Sequence, residues 1–362
     1  MPRVIGIDPG TTSVDLCGLD GGRLFLDRAI PTREALANPS PLLALLEGAR
    51  PLDLVAGPSG YGLPLVFARD LDERQVRLAC LAAPGEEGGI GGLSALIRAL
   101  GRVQAPVIFT PGVMHLDTVP AHRKVNRVDM GTADKVCAAA LAIRAQADRL
   151  GCAERDVSFL QLELGGAFTA ALAVDGGCIV DGLGGSSGPM GACASGALDA
   201  EVAYLAGHVG KAHLFSGGAL DVAGTPDAPA EYLAAPSTPR AELAWHAWLE
   251  SAVKAVAALS VSVPEPREVV LSGRLAGVPA IRDALTTRIG AVLSRSPVVP
   301  LAGFAEVAKH AAQGAALLAD GLAGGRSRAL VEAMGLRRAG GTVLDHLHVI
   351  DTAAARARLG ID

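Results

Sequence analysis

The chain has 362 residues, half of them hydrophobic but only 3% aromatic, with a net charge of −5. That length exceeds one simple core and predicts two domains, with cores built from Ala, Val, Leu and Ile. The acidic balance excludes a general affinity for nucleic acid or for an anionic membrane surface, and no apolar run reaches the roughly 18 residues of a membrane span.

The start carries no signal-peptide pattern. Six cysteines (Cys17, Cys80, Cys137, Cys152, Cys178, Cys193) are scattered without a CxxC pair. They read as reduced thiols, and a cytoplasmic location is expected.

The first stretch, Arg3 to Ser13, sets the plan. Val4, Ile5 and Ile7 fit a buried strand that stops at an acid, Asp8. Pro9-Gly10 forces a reversal, and Thr11, Thr12 and Ser13 follow. Backbone N–H groups and hydroxyls from Gly10 to Ser13 can face a phosphate, while a carboxylate at a strand end can hold Mg²⁺ through water. An ordinary hairpin fits the same residues. Val14 to Leu19 and Arg23 to Ile30 read as two more antiparallel strands around the Asp20-Gly21-Gly22 turn. No GxxxxGK[ST] occurs.

Pro41 to Ala49 reads as a helix and Leu52 to Pro58 as a strand. Ser59 to Gly62 is a candidate site wall or a plain turn. Gly85 to Gly92 reads as a loop, Leu93 to Leu100 as a helix and Pro106 to Thr110 as a strand. The segment that follows places His115, His122, Arg123, Lys124 and Arg127 within 13 residues, the densest cationic stretch of the chain. It reads as an anion site, or as a solvated basic loop. Its histidines lack the HxxxH spacing of a helical metal pair.

Gly131 to Leu150 predicts a helix, capped by Thr132, whose small side chains let a second helix come close. Asp134 and Lys135 lie in its first turn; Asp134 also suits the helix dipole. After a linker at 151–156 the opening plan returns. Val157 to Leu164 carries Glu163, then Gly165-Gly166, a strand from Phe168, the Asp175-Gly176-Gly177 turn, and a strand from Cys178. Such an echo predicts two similar halves facing each other.

Gly182 to Gly191 reads as a loop, Ala192 to Gly207 as a helix, and 217–239 as loop. Arg240 to Leu259 and Ile281 to Ile289 read as helices. Glu268 to Leu275 reads as a strand containing Ser272-Gly273-Arg274, and Pro297 to Leu301 as an edge strand. Lys309 to Gly321 is a second small-sided helix, and 326–362 is expected to hold a helix and a strand pair.

In this order the pieces resemble the acetate and sugar kinase/Hsc70/actin superfamily. Val4–Ser13 looks like its first phosphate loop, Met130–Ile143 its first connecting helix and Leu160–Thr169 its second phosphate loop. Val269–Gly277 looks like its adenosine motif and Lys309–Leu322 its second connecting helix. More narrowly, Gly6-Ile7-Asp8-Pro9-Gly10-Thr11, the block Met114 to Ile143, and Leu162 to Ala171 are similar to the DUF1464 family, whose members are named predicted butyrate kinases by inference.

The resemblance implies an α/β, two-lobed, ribonuclease H-like, duplicated actin-like ATPase fold with an interlobe nucleotide cleft. Residues 1–150 and 151–325 would be the lobes and 326–362 an extension packed on one of them. It implies ATP with Mg²⁺ as cofactors. Gly10, Thr11, Thr12, Ser13, Gly165, Gly166, Ser272, Gly273 and Arg274 would bind the nucleotide, and Asp8 and Glu163 the metal. Glu163 stands where the superfamily usually has Asp. A homodimer is carried as a candidate assembly.

A sugar hydroxyl needs a carboxylate base, whereas a short-chain carboxylate is already ionised and needs cations instead. Residue chemistry therefore assigns Arg123 and Arg127 to clamp a small-molecule carboxylate substrate and His122 to donate to the transition state, with Asp8 beside the reacting phosphate. The expected reaction is transfer of phosphate from ATP to a short acid such as butyrate. Three rivals stand beside it. A kinase of a sugar or other hydroxyl compound would use Asp129 or Asp134 as base. An ATPase switch would act on a protein partner. A tRNA-modifying carbamoyl transferase would show the HxxxH motif that is absent.

Overall fold

Residues 1–58, 60–86 and 92–361 are described by the computed structural model. Ser59, and 87–91 of the expected glycine loop, lie outside the described residues. Among the described residues the strands form two sheets, one of six and one of five.

The first contains β1 (Arg3–Pro9), β2 (Ser13–Asp20), β3 (Arg23–Pro31), β4 (Leu54–Pro58), β5 (Val66–Phe67) and β6 (Val107–Thr110), in the order β3-β2-β1-β4-β6-β5. The second contains β7 (Ser158–Leu164), β8 (Thr169–Asp175), β9 (Cys178–Leu183), β10 (Glu268–Ser272) and β11 (Val298–Pro300), in the order β11-β10-β7-β8-β9.

The duplication read from the two acid-plus-glycine turns is present in the pairing. β1 runs antiparallel to β2 and parallel to β4. β7 runs antiparallel to β8 and parallel to β10. Each sheet thus opens with a three-strand meander and continues through parallel strands. Both turns sit at the same end of their sheets, where parallel α/β architecture leaves a crevice for ligands. Under the second turn, buried Trp248 donates Nε1–H to Thr169 Oγ1 at 3.1 Å and fixes the start of β8.

The helices Ala133–Leu150 and His310–Leu322 cross between the sheets. Their small side chains allow backbone-level approach. A Cβ on Gly314 would lie 1.8 Å from the Cys137 carbonyl oxygen, and one on Gly6 in β1 would lie 2.2 Å from Ala316 N. The second helix therefore packs on the first sheet, although the chain reaches it last.

Three expectations are corrected. Of Ala192 to Gly207, only Ala200–Ala206 is helical. Gly196 takes φ +78° and Ala194 bridges to Gly217, so the helix starts only where the Asp199 carboxylate caps it. The stretch 217–239 holds a short helix, Ala219–Ala223, and a 3₁₀ turn, Ala230–Ala234. The expected C-terminal strands are replaced by helices Arg328–Ala333 and Thr352–Leu359, with no strand among the described residues of that segment. A further helix, Glu73–Cys80, is opened by the reciprocal cap of Asp72 and Gln75, a local signal present in the sequence.

The C-terminal segment packs along the first half of the chain. Arg338 pairs with Asp117 at 2.6 Å, Asn126 Oδ1 accepts from the backbone of His348 and Val349, and Arg77 donates to the carbonyls of Leu359 and Gly360. No helix among the described residues is long and apolar enough to cross a membrane.

Candidate active site

A cleft of about 740 Å³ opens between the two turns. Gly10 N–H donates to Ser13 O at 3.0 Å, and Thr32 Oγ1 donates to Gly10 O at 2.6 Å. These bonds, with the Ser13 hydroxyl donating to Asp15, turn part of the first loop inward. Thr11 and Thr12 are left exposed at its tip. Across the cleft a Cβ on Gly166 would lie 3.8 Å from Thr12 Oγ1 and 4.0 Å from Thr11 Oγ1, so the turns stand face to face. Gly165 N–H closes the second turn on Phe168 O at 2.9 Å.

Each turn has an acid at its strand end and a lysine supplied by a connecting helix. On the first side, Lys309 Nζ lies 2.7 Å from Asp15 and 3.6 Å from Asp8, and donates to Ser13 O at 3.0 Å. Burial pushes the Asp8 carboxyl up to about 7, against the pull of the Lys309 ammonium; Asp134 and Asp15 add to the rise. On the second side, Lys135 Nζ lies 2.7 Å from both Asp134 and Glu163.

Burial opposes the charged forms here too. The Lys135 ammonium and the Thr132 hydroxyl nevertheless hold Asp134 below the usual carboxylate range, whereas Glu163 stays raised by burial. The buried Oε2 of Glu163 has no hydrogen-bond partner.

That orphaned oxygen and the loosely paired Asp8 carboxylate both line the cleft, as hard oxygen donors do for a hydrated Mg²⁺. Among the described residues no group of three or more His, Cys, Asp or Glu could hold a metal by itself. This donor set fits an ion that keeps its waters and takes further oxygens from a phosphate.

The adenosine-type residues divide. Gly273 takes φ +85° and packs against Leu164 backbone, and Gly273 and Arg274 line the cleft, Arg274 pairing with Glu231 at 2.6 Å. Ser272 is fully buried and accepts from Gln161 Nε2 at 2.8 Å, so it does not reach the cleft.

The basic segment is a larger correction. His115 is buried, and burial pushes its imidazole down to about 4. His122 is exposed on the short helix Ala121–Lys124. Arg123 donates to Val180 O at 2.7 Å and Arg127 to Ser187 O at 3.0 Å, tying this segment to β9 and the loop after it. Lys124 donates to Leu116 O at 2.7 Å. None of these residues lines the cleft. Charge spacing counted the cations but not the carbonyls that were waiting for them.

Gly60 and Tyr61 of the expected Ser59–Gly62 wall line the cleft, as does Asp129, and further residues complete it. Asp129 accepts from Gly131 N, Ser186 N and Ser186 Oγ, and burial, with the Asp129 charge beside it, pushes the Tyr61 hydroxyl up. Phe168 and Phe215 meet edge to face at 5.0 Å. Ala79, Cys80, Leu93 and Leu214 extend this apolar side.

The family model "Protein of unknown function (DUF1464)" matches residues 6–349. The chain belongs to the DUF1464 family. No curated protein sequence matches it. In three dimensions this DUF1464 protein is similar to a propionate kinase from Francisella tularensis, with a TM-score of 0.62 and 13% identity over 87% of this chain and 99% of that one. The acetate kinase of Porphyromonas gingivalis gives a TM-score of 0.60 and 14% identity, over 87% and 98% of the two chains. That of Entamoeba histolytica gives 0.56 and 12%, over 80% and 86%. At these identities the likeness shows the fold alone: a two-lobed, actin-like ATPase architecture.

Proposed function

We propose that this protein is an ATP- and Mg²⁺-dependent phosphotransferase whose acceptor is a short-chain carboxylate such as butyrate, giving an acyl phosphate. The observation that carries the proposal is the pair of facing turns, each with an acid and a lysine, opening onto an apolar wall. Asp8 and Glu163 would hold the metal through water. Thr11, Thr12, Gly165 and Gly166 would flank the phosphates, and Gly273 and Arg274 the nucleoside. The bound pair supplies a transferable phosphoryl group with its charge partly neutralised.

The surroundings favour an acid over a sugar. Ala79, Cys80, Leu93, Leu214 and Phe215 offer an alkyl chain area to bury and offer a polyol few partners. The carboxylates nearest the acceptor side are committed. Both oxygens of Asp129 accept hydrogen bonds, and so do both oxygens of Asp134, from the Thr132 hydroxyl and the Lys135 ammonium. Neither is poised as the base that a hydroxyl acceptor requires, whereas an ionised carboxylate requires none.

With Arg123 and Arg127 spent on carbonyls, the offset of anion–anion repulsion falls to the metal and to Lys309. The test is an acyl-phosphate trap assay over C2 to C6 acids, run beside a panel of sugars. Acyl phosphate from a short acid supports the proposal. Phosphorylated sugar, or ATP binding without any acyl product, refutes it.

A further inference from the structure

We infer that Lys309, delivered from the far end of the chain, is the phosphate-binding cation of the first turn. The inference rests on the nucleotide-binding reading of that turn, and it concerns a residue that no motif assigns.

The backbone of Gly10 does not take the left-handed conformation that calls for glycine. The ammonium lies against it instead. A Cβ at this position would lie 2.3 Å from Lys309 Nζ. The amine is therefore seated on the turn itself, against the residue that a phosphate would approach.

Its bonding is incomplete. An ammonium has three donors. Lys309 spends one on Asp15 at 2.7 Å and one on Ser13 O at 3.0 Å, while Asp8 at 3.6 Å is too far for a third hydrogen bond. Its side chain keeps 35% exposure and lines the cleft. Asp15, at 1% exposure, and the Ser13 carbonyl act as a socket that aims the remaining donor.

The field in the cleft gives that donor a task. Asp8, Asp15, Asp134 and Glu163 line the cleft with Lys135 and Lys309. Lys135 is held at 2.7 Å by two carboxylates, and burial keeps His310 toward its neutral form. A polyphosphate entering there meets net negative charge, and Lys309, at 35% side-chain exposure against 13% for Lys135, is the more accessible lysine to meet it. A charge-assisted hydrogen bond of this kind is worth about 10- to 100-fold in affinity.

The experiment measures binding by calorimetry in EDTA, with ATP and with adenosine, for the wild type and Lys309→Met. The wild type is expected to bind ATP more tightly than adenosine. Lys309→Met is expected to keep adenosine affinity and lose about 10- to 100-fold for ATP. Full retention of the ATP-over-adenosine increment in the variant overturns the inference. So does loss of adenosine binding together with ATP, which makes Lys309 a residue of the fold. A wild type that binds neither ligand, with or without Mg²⁺, instead refutes the nucleotide reading, and the inference falls with it.

Discussion

The two walls of the cleft are built to one plan and finished differently. Each has a strand ending in an acid, a glycine turn, and a lysine reaching in from the start of a crossing helix. On the second wall Lys135 sits at 13% exposure between two carboxylates at 2.7 Å, a more enclosed arrangement that leaves one Glu163 oxygen unpartnered. On the first wall Lys309 keeps 35% exposure and Asp8 stands 3.6 Å away, an arrangement with valence to spare. Duplication supplies a pair of similar walls that offer different groups, an accessible ammonium on the first and an unpartnered carboxylate oxygen on the second.

The comparison can be broken in order of expected effect. Removing the closed pair should damage the fold. Lys135→Met leaves Asp134 and Glu163 facing each other without a cation and should cost about 3–5 kcal/mol in urea unfolding; a variant as stable as the wild type would show that the second wall is not held by that pair.

Removing the open acid should damage chemistry instead. Burial raises the Asp8 carboxyl to about 7, so its charged form costs the folded state stability at pH 7, and the neutral Asp8→Asn should raise the unfolding midpoint rather than lower it. Turnover with saturating Mg²⁺ should fall by about 100-fold or more. A fully active Asp8→Asn would remove the metal role.

The support shared by both walls is the helix crossing. Gly314→Ala places a methyl against the Cys137 backbone and should cost about 2–3 kcal/mol. Gly290→Ala, in a helix where nothing lies within 4 Å of the new Cβ, should instead gain about 0.5–1 kcal/mol. Equal effects in the two variants would mean that close approach is not what holds the crossing.

An effect confined to acid pH belongs to His115, which the sequence pattern grouped with the cations and the structure buries. Burial and, to a lesser degree, the Lys124 ammonium push its folded-state value from 6.5 down to about 4. The unfolded chain therefore binds a proton that the folded one does not. Stability from this group is full above pH 6.5 and lost as pH falls toward 4, by about 2 kcal/mol at pH 5. His115→Gln should flatten that part of the pH profile of the unfolding midpoint.

The contrast also marks what a sequence can disclose. Strand, acid, glycine turn and Asp-Gly-Gly hairpin are local signals, and both copies of them fold as read, with the small-sided helices crossing between. Direction and partnership are not local. The spacing of His122, Arg123 and Arg127 announced positive charge, but only the approach of β9 shows the guanidiniums satisfied by carbonyls. Ser272 lay in the right motif and turned into the sheet. Lys309 read as the opening of a helix, because nothing near it in the chain reveals Asp15 or Gly10.

The packing of β1 against the helix His310–Leu322 also has a consequence for how the molecule is made. Gly6 of β1 leaves the ribosome about 300 residues before Ala312 and Ala316, whose backbone packs on it. At 5–20 residues per second that is a wait of about 15–60 s. During that interval the glycine face of the first sheet has no helix to cover it. Synthesis therefore favours an order in which the second sheet and its own core form while the first is still incomplete, and the cleft between the two turns is completed only after Lys309 has been made.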